Sequence, residues 1–173
     1  TDQCPLLTFT DCDFTDNTAG QLGAAARFFE GAADFTGCSF TGNTTPVEAG
    51  AISSYGCALT LSGCDFESNG TAGDGGAVMT VGGAVAISGC TFTTNTGGHG
   101  AGLWCSGMSS LVVEETAFRG NGATMNGGAF FLYDSPCTLT ACTFDSCSAG
   151  NNGGAGYCWL ASGRIDACDL PPD

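Results

Sequence analysis

One pattern, Cys-x-Phe-x-x-Asn, recurs along this chain at a fixed interval of 26 residues, and no other feature of the sequence restricts the fold so strongly. Its leading positions are Cys12, Cys38, Cys64, Cys90, Thr116, Cys142 and Cys168. Phenylalanine follows two residues later in each full copy, and asparagine follows five residues later in all of them except the last, which has Cys147. A strict period of this length predicts a solenoid, in which each coil packs against the coils before and after it.

Apolar residues also recur in columns, and their alternation with polar residues predicts strands. One such column contains Phe9, Phe35, Leu61, Ile87, Val113, Leu139 and Ile165. A second strand is predicted around the leading cysteine and the phenylalanine of each copy. A third strand is predicted after small-residue elements such as Gly75-Gly76-Ala77, and the sequence leaves open which side of that strand faces inward.

Three short strands and three corners in each coil predict an all-β fold, a right-handed parallel β-helix with about six full coils. We expect a single domain, with an N-terminal cap and partial coil at residues 1–11, six 26-residue coils at 12–167 and a C-terminal cap at 168–173. The corner glycines are expected to have positive φ. The asparagine column is expected to form a ladder of amides that satisfies buried backbone groups.

The combination of Phe-x-x-Asn with a following Gly-Gly-Ala and an apolar residue resembles the repeat of the polymorphic outer-membrane proteins. Matching segments include Phe66-Glu67-Ser68-Asn69 with Gly75-Gly76-Ala77-Val78, and Phe118-Arg119-Gly120-Asn121 with Gly127-Gly128-Ala129-Phe130. The resemblance covers nearly the whole chain. It implies a right-handed β-helix outside the cytoplasm that serves in adhesion or as a stalk.

The charge of the chain disfavours several classes of partner. Its 17 acidic residues and three basic ones, all arginine, give a net charge of −14 at pH 7. Nucleic acid and anionic lipid are therefore not expected as partners, because few cations are present to neutralise phosphates. No apolar run approaches the roughly 20 residues that a membrane-spanning helix needs.

The 12 cysteines favour an oxidising compartment, so we expect a secreted, cell-surface or organelle-lumen protein. Because the chain starts at Thr1 rather than at Met, we expect a processed product or a fragment. The cysteines of the repeat column are expected to be mostly buried thiols, since side chains one coil apart lie beyond the usual disulfide range. The better disulfide candidates are Cys4, Cys57, Cys105, Cys137, Cys147 and Cys158. With a single histidine, His99, and no Cys-x-x-Cys pair, neither a metal nor another cofactor is predicted.

Aromatic residues cluster in neighbouring columns of the third predicted strand. They are Phe28, Phe29, Tyr55, Trp104, Phe131, Tyr133, Tyr157 and Trp159. A contiguous aromatic patch on the outside of a rod is typical of a binding surface, and burial of both neighbours at a corner is the alternative. We therefore predict a non-catalytic structural or binding module that docks onto a protein assembly, a surface polymer or copies of itself through this face.

A second function is predicted from hydroxyl side chains on the first strand. Thr8, Thr10, Thr36, Thr60, Ser62, Ser88, Thr138 and Thr140 fall in two outward columns. These columns resemble the flat threonine arrays of β-helical ice-binding proteins, which match hydroxyls and methyls to an ice plane. An ordinary solvated face remains the alternative, because Asp34, Glu114, Arg164 and Asp166 interrupt the columns.

A carbohydrate-active enzyme is the third alternative. Asp13 and Asp65 share an outward column, and Glu67 lies on the same face as Asp65, so paired carboxylates are available. However, the repeat has no insertion that could wall a cleft, and a lone His99 does not permit a nucleophilic triad. We therefore predict that the protein is not an enzyme.

Overall fold

The computed structural model describes residues 6–169, which fold into 22 short strands with no helix between them. All strand pairings are parallel, and each strand pairs with its equivalents one coil away. The predicted all-β parallel β-helix with 26-residue coils is therefore confirmed. Its strands lie in four ladders that run along the rod.

The first ladder consists of β1 (Leu6–Thr10), the second half of β3 (Ala26–Thr36), the second half of β6 (Ile52–Ser62), β10 (Ala84–Ser88), β14 (Ser110–Glu114), β18 (Pro136–Thr140) and β22 (Ser162–Asp166). The second consists of β2 (Asp13–Thr15), β4 (Ser39–Thr41), β7 (Asp65–Glu67), β11 (Thr91–Thr93), β15 (Ala117–Arg119) and β19 (Thr143–Asp145). The third consists of β5 (Thr44–Thr45), β8 (Gly70–Thr71), β12 (Thr96–Gly97), β16 (Gly122–Ala123) and β20 (Ser148–Ala149). The fourth consists of the first halves of β3 and β6 with β9 (Val78–Val81), β13 (Leu103–Ser106), β17 (Phe130–Tyr133) and β21 (Gly156–Trp159).

The strands form three parallel sheets, because the first and fourth ladders belong to one sheet, but most coils carry a fourth strand that the sequence does not predict. The third ladder, directly after the asparagine column, was not predicted because its strands have only two residues and cannot show an alternation of apolar and polar positions. The fourth ladder is the strand that was predicted after the small-residue element. In β3 and β6 the fourth and first ladders join into single strands of 11 residues.

Four corners turn each coil, and every corner is a column of residues with positive φ. The corner after the first ladder contains Asp11, Gly37, Gly63, Gly89, Glu115, Ala141 and Ala167. The prediction for the corner glycines is confirmed, with φ of 62°, 59° and 59° at Gly37, Gly63 and Gly89. The other residues in this column adopt the left-handed backbone at a cost of roughly 1–2 kcal/mol each.

Ala141 provides a test of that cost, because it is exposed, has a φ of 53° and shares its column with three glycines. Ala141→Gly is expected to raise the free energy of unfolding by about 1 kcal/mol, since glycine reaches positive φ without steric strain. The control is Ala117→Gly within β15, which should lower that free energy by about 0.5–1 kcal/mol. Chemical denaturation measures both, and a destabilising Ala141→Gly would contradict the strain assigned to this corner.

A continuous column of phenylalanine rings forms the centre of the core. Phe14, Phe40, Phe66, Phe92, Phe118 and Phe144 stack with successive ring centroids 4.8, 4.7, 4.6, 4.9 and 5.3 Å apart. This spacing is the separation of hydrogen-bonded strands, about 4.8 Å, so each ring sits directly on the ring of the next coil. Inward columns of the first and fourth ladders pack around the rings.

The asparagine column forms the predicted ladder. Asn69 Nδ2 donates to the Phe40 carbonyl at 2.8 Å and to Asn95 Oδ1 at 3.0 Å, while its own Oδ1 accepts from the backbone N–H and from Nδ2 of Asn43 at 3.0 and 2.9 Å. The same pattern repeats at Asn43, Asn95 and Asn121. Each amide therefore joins three coils, and the expectation of a turn ladder is confirmed.

The fourth coil departs locally from the strict period. Val78 of β9 pairs with Leu103 of β13, 25 residues later, and Leu103 pairs with Phe130 of β17, 27 residues later. One residue is missing from the corner before β13, and the longer corner after it, which contains the buried Met108, restores the period. Because side chains alternate along a strand, the one-residue shift turns Trp104 outward and Cys105 inward.

The cysteines of the repeat column are free thiols, as predicted. Cys64 Sγ donates to the carbonyls of Phe35 and Ser62, each at 3.5 Å, and Cys90 Sγ accepts from the Cys64 N–H at 3.4 Å. Thr116 takes the same place in its coil with a hydroxyl that donates to the Glu114 carbonyl at 2.8 Å. The column therefore satisfies corner backbone groups, a role that needs a small donor rather than a disulfide.

The prediction of disulfides among the other cysteines is wrong for the residues described. Cys57, Cys105, Cys137, Cys147 and Cys158 are all free, and Cys4 lies outside the described range. They occupy different parts of the coil, and the two that share a column, Cys105 and Cys158, are separated by Leu132 of the intervening coil. Burial raises the pKa of Cys105 to about 12, so this thiol is a poor nucleophile at neutral pH.

Candidate binding face

The fourth ladder has one side in the core and one side facing outward, which decides the orientation that the sequence left open. Its buried inward residues include Ile52, Val78, Leu103 and Phe130. Two outward columns lie on the other side. The inner column contains Arg27, Ser53, Met79, Trp104, Phe131 and Tyr157, and the outer column contains Phe29, Tyr55, Val81, Ser106, Tyr133 and Trp159.

The corner that precedes the fourth ladder covers the inner column. Its positive-φ residues are Gly23, Ala49, Gly75, Gly100, Gly127 and Gly153. A Cβ placed on Gly75 would lie 2.7 Å from the Cβ of Met79, and one on Gly100 would lie 3.1 Å from the Cβ of Phe131. Corner and column are thus in direct contact, which explains why Ser53, Met79 and Phe131 are buried although they point outward.

A polar ridge runs beside the aromatic columns, one residue before each of these corner positions. It consists of Glu48, Asp74, His99, Asn126 and Asn152, and the apolar Leu22 precedes it in the same column. Asp74 Oδ1 accepts from the His99 backbone N–H at 2.9 Å, and Asn126 Nδ2 donates to His99 Nδ1 at 3.2 Å. Asn152 Nδ2 donates to Asn126 Oδ1 at 2.9 Å. The His99 ring packs on the Phe131 ring, with the two ring centroids 4.8 Å apart. We call the ridge and the two columns together the ridge face.

At the N-terminal end of the ridge face, the rings of Phe29 and Tyr55 stack with centroids 6.0 Å apart, and the Arg27 guanidinium lies 5.7 Å from the centre of the Tyr55 ring. Phe29 is 69% exposed. Burial raises the pKa of Tyr55, and the Glu48 carboxylate on the ridge raises it further. Tyr55 is therefore protonated at neutral pH, so it offers a hydrogen-bond donor together with its ring.

At the C-terminal end, rings associate along both columns. In the inner column Phe131 lies between Trp104 and Tyr157, at centroid distances of 6.3 and 5.4 Å. In the outer column Tyr133 and Trp159 meet edge to face at 5.5 Å and are 37% and 55% exposed. The ridge therefore packs on the inner column, and the exposed rings of the outer column lie on the far side of that column.

All but one of the residues predicted for the aromatic face point outward here. The exception is Phe28, whose ring packs in the core against Phe9 and Phe35 at 6.3 and 5.8 Å. The prediction is wrong for Phe28 because consecutive residues on a strand face opposite sides, and Phe29 takes the outward one. Phe131 points outward as well, but the corner buries it.

The ridge itself was not predicted. The sequence places Glu48, Asp74, Asn126 and Asn152 in one column, but the strict period assigns Gly100 rather than His99 to the fourth coil. The missing residue before β13 moves His99 into the column, and only the observed register shows the hydrogen bonds that link Asp74, His99, Asn126 and Asn152.

The hydroxyl residues of the alternative ice-binding face lie in two outward columns of the first ladder. Thr8, Thr60 and Thr138 share one column, and Thr10, Thr36, Ser62, Ser88 and Thr140 share the next. The Oγ atoms of Ser62 and Ser88 are 3.4 Å apart. At the C-terminal end of this sheet, Arg164 and Asp166 form an ion pair at 2.6 Å.

The carboxylates considered as catalytic groups belong to the second ladder, apart from the ridge face. Asp13 accepts a hydrogen bond from Ser39, and Asp65 accepts one from Thr91. Glu67 is exposed. Within residues 6–169, no group of three or more His, Cys, Asp and Glu side chains is placed to hold a metal ion. The same range contains no helix long and apolar enough to cross a bilayer.

Comparison with known proteins agrees with the coil geometry. A family model described as a right handed beta helix region matches residues 1–169. No curated protein and no solved structure matches the chain. Since the matched segment takes in nearly the whole sequence, and all four ladders lie within it, the chain belongs to the right-handed β-helix family.

Proposed function

We propose that this protein is a non-catalytic binding module that holds a neutral polysaccharide along the ridge face. The observation that carries the proposal is the polar ridge directly beside outward aromatic columns. The exposed rings of the outer column are not needed to build a coil, since the core is complete on the inward side. Aromatic faces that pack on apolar ligand surface, with a few fixed polar groups beside them, are the common composition of small-molecule and glycan sites.

The polar side chains of the ridge suit the hydroxyl groups of sugars. Asn126 and Asn152 offer amide oxygens and N–H groups, and Glu48 and Asp74 offer carboxylate acceptors. Exposed rings for stacking are present at Tyr133 and Trp159. A polymer lying along the rod axis would meet Phe29 and Tyr55 at one end of the ridge face and Tyr133 and Trp159 at the other. Val81 and Ser106 occupy the outer column in the coils between them.

Charge favours a neutral polymer over an acidic one. The chain carries a net charge of −14, and Arg27 is the one basic side chain in the columns of the ridge face. A polyuronate or a sulfated glycan would be repelled by Glu48 and Asp74 and by the field of the whole protein. The affinity for a neutral glycan is not lowered by this repulsion, because such a glycan carries no charge.

A rod of stacked coils suits adhesion or attachment, and we propose that role outside the cytoplasm. The resemblance of the Phe-x-x-Asn and Gly-Gly-Ala elements to the polymorphic outer-membrane repeat supports it. No catalytic step is assigned to Asp65 and Glu67, which lie on the second ladder, apart from the aromatic residues.

Co-sedimentation with insoluble neutral glycans, cellulose and a β-glucan, tests the proposal. The double variant Tyr133→Ser and Trp159→Ser should weaken binding by about tenfold or more, since two aromatic contacts are lost at roughly 1 kcal/mol each. Leu6→Ser, which changes an equally exposed apolar residue on the first ladder, is the matched control and should bind like the unsubstituted protein. Unchanged binding by the double variant, release of the protein from the insoluble glycan by soluble alginate, or no binding to any neutral glycan would refute the proposal.

Ice binding is the second candidate, and one observation favours it. Thr10, Thr36, Ser62 and Ser88 place hydroxyls in one straight column over four consecutive coils. If this column binds ice, the protein should show thermal hysteresis that Thr60→Tyr, in the adjacent outward column, removes. Absence of hysteresis in the unsubstituted protein would exclude this function.

A further inference from the structure

Two segments of the asparagine ladder match the Asn-x-Thr acceptor of N-linked glycosylation. They are Asn43-Thr44-Thr45 and Asn69-Gly70-Thr71. Such acceptors normally lie in exposed loops, because the attached oligosaccharide is bulky and solvated. Here both asparagines are 0% exposed.

The nitrogen that would receive the sugar is committed to the fold at both sites. Asn43 Nδ2 donates to the Phe14 carbonyl and to Asn69 Oδ1, each at 2.9 Å. Asn69 Nδ2 donates to the Phe40 carbonyl at 2.8 Å and to Asn95 Oδ1 at 3.0 Å. Both amide hydrogens of each nitrogen are therefore in use, and coils stacked at about 4.8 Å leave no space for a sugar ring.

The threonine hydroxyl of the first acceptor is also in use. Thr45 is buried, and its Oγ1 donates to the Glu48 carbonyl at 3.0 Å and lies 3.2 Å from Thr71 Oγ1. An acceptor has to present the asparagine and this hydroxyl together in an extended, accessible segment. The folded coils present neither.

We propose that the folded β-helix and N-glycosylation at Asn43 or Asn69 are mutually exclusive. Transfer from a polyprenyl-diphosphate-linked oligosaccharide breaks the sugar C1–phosphate bond, forms the Nδ2–C1 bond and releases one amide proton with the lipid diphosphate. A chain modified in this way before folding cannot close the ladder at coils two and three. A chain that has folded is no longer a substrate, so the native protein carries no glycan at either site.

Asn17, at the exposed end of the same ladder, provides a matched control. It is followed by Thr18 and Ala19, so Ala19→Thr creates a third acceptor there. Ala19 occupies the column of Thr45 and Thr71, where a threonine is already accommodated in the next two coils. The Ala19→Thr variant should therefore fold normally. Its new acceptor, Asn17, is exposed, whereas Asn43 and Asn69 are buried.

The test treats the folded Ala19→Thr variant with purified oligosaccharyltransferase and lipid-linked oligosaccharide, and mass spectrometry measures the occupancy of each site. Asn17 should be modified at least about a hundredfold more than Asn43 and Asn69, because exposing either buried amide requires the coils to open. In the urea-unfolded chain, diluted at once into the reaction, all three should be modified. Comparable occupancy of all three sites in the folded protein would overturn the proposal.

A second measurement follows the glycan-bearing chain itself. Translation into microsomes modifies nascent chains before they fold, and chains carrying a glycan at Asn43 or Asn69 should be degraded by proteinase K under conditions in which unmodified chains resist it. Chains of the Ala19→Thr variant modified only at Asn17 should resist. Protease resistance of chains modified at Asn43 or Asn69 would contradict the proposed exclusion.

Discussion

Replacement of Asn69 by alanine is expected to lower the free energy of unfolding by about 3–5 kcal/mol. The change removes the amide that accepts from the Asn43 backbone N–H and donates to the Phe40 carbonyl, both in the interior of the rod. Two buried backbone groups are then left without partners, and each costs about 1–3 kcal/mol. Chemical denaturation followed by circular dichroism measures the loss.

The control for this substitution is Asn17→Ala, at the exposed end of the ladder. Asn17 Nδ2 makes one bond, to Asn43 Oδ1 at 2.8 Å, and its backbone N–H keeps the same acceptor at 3.1 Å after the change. The expected loss is about 1 kcal/mol. Equal effects of Asn17→Ala and Asn69→Ala would show that burial in the ladder adds nothing, contrary to the role assigned to this column.

Truncation of a central ring has an effect of similar size. Phe92 is fully buried between Phe66 and Phe118, with centroids 4.6 and 4.9 Å away, and Phe92→Ala should cost about 3–5 kcal/mol because a cavity remains between rigid coils. Amide hydrogen exchange should show the largest loss of protection in β7, β11 and β15, since each coil contacts only its neighbours.

Phe29→Ala serves as the comparison for Phe92→Ala. It removes the same side chain from a site that is 69% exposed, so the free energy of unfolding should change by less than about 1 kcal/mol. A loss at Phe92 no larger than the loss at Phe29 would be incompatible with a continuous phenylalanine core.

The inward columns were predictable from the sequence because every coil repeats the same environment. Phe66 and Asn69 have equivalents above and below them, so a single position read at the 26-residue period already indicates a stacked ring or a shared amide. The two-residue third ladder was not predictable, because β8 and its neighbours are too short to show a periodicity. The corner between the second and third ladders was not predictable for the same reason, since the short strands that follow it show no periodicity.

The binding face was predictable only in part, because it depends on a local exception to the period. The missing residue before β13 brings His99 into the ridge and turns Trp104 outward. Because the extra residue beside Met108 restores the 26-residue period, the spacing of the repeats shows neither change. Which of Phe28 and Phe29 points outward likewise depends on the register of β3 with β6, and the composition of the pair does not indicate it. Free thiols at Cys57 and Cys158 could not be inferred from a cysteine count alone.

Both tryptophans of the chain, Trp104 and Trp159, lie on the ridge face, so their fluorescence reports directly on a ligand bound there. The most direct test is a titration of the folded protein with soluble neutral oligosaccharides, monitored by tryptophan emission. Binding along the ridge face predicts a saturable change in emission. In Tyr133→Ser, which keeps both tryptophans, the change should need roughly fivefold more oligosaccharide, and in Leu6→Ser it should be unaltered. Glycan binding without any change in tryptophan emission would place the ligand elsewhere on the rod and contradict the proposed function.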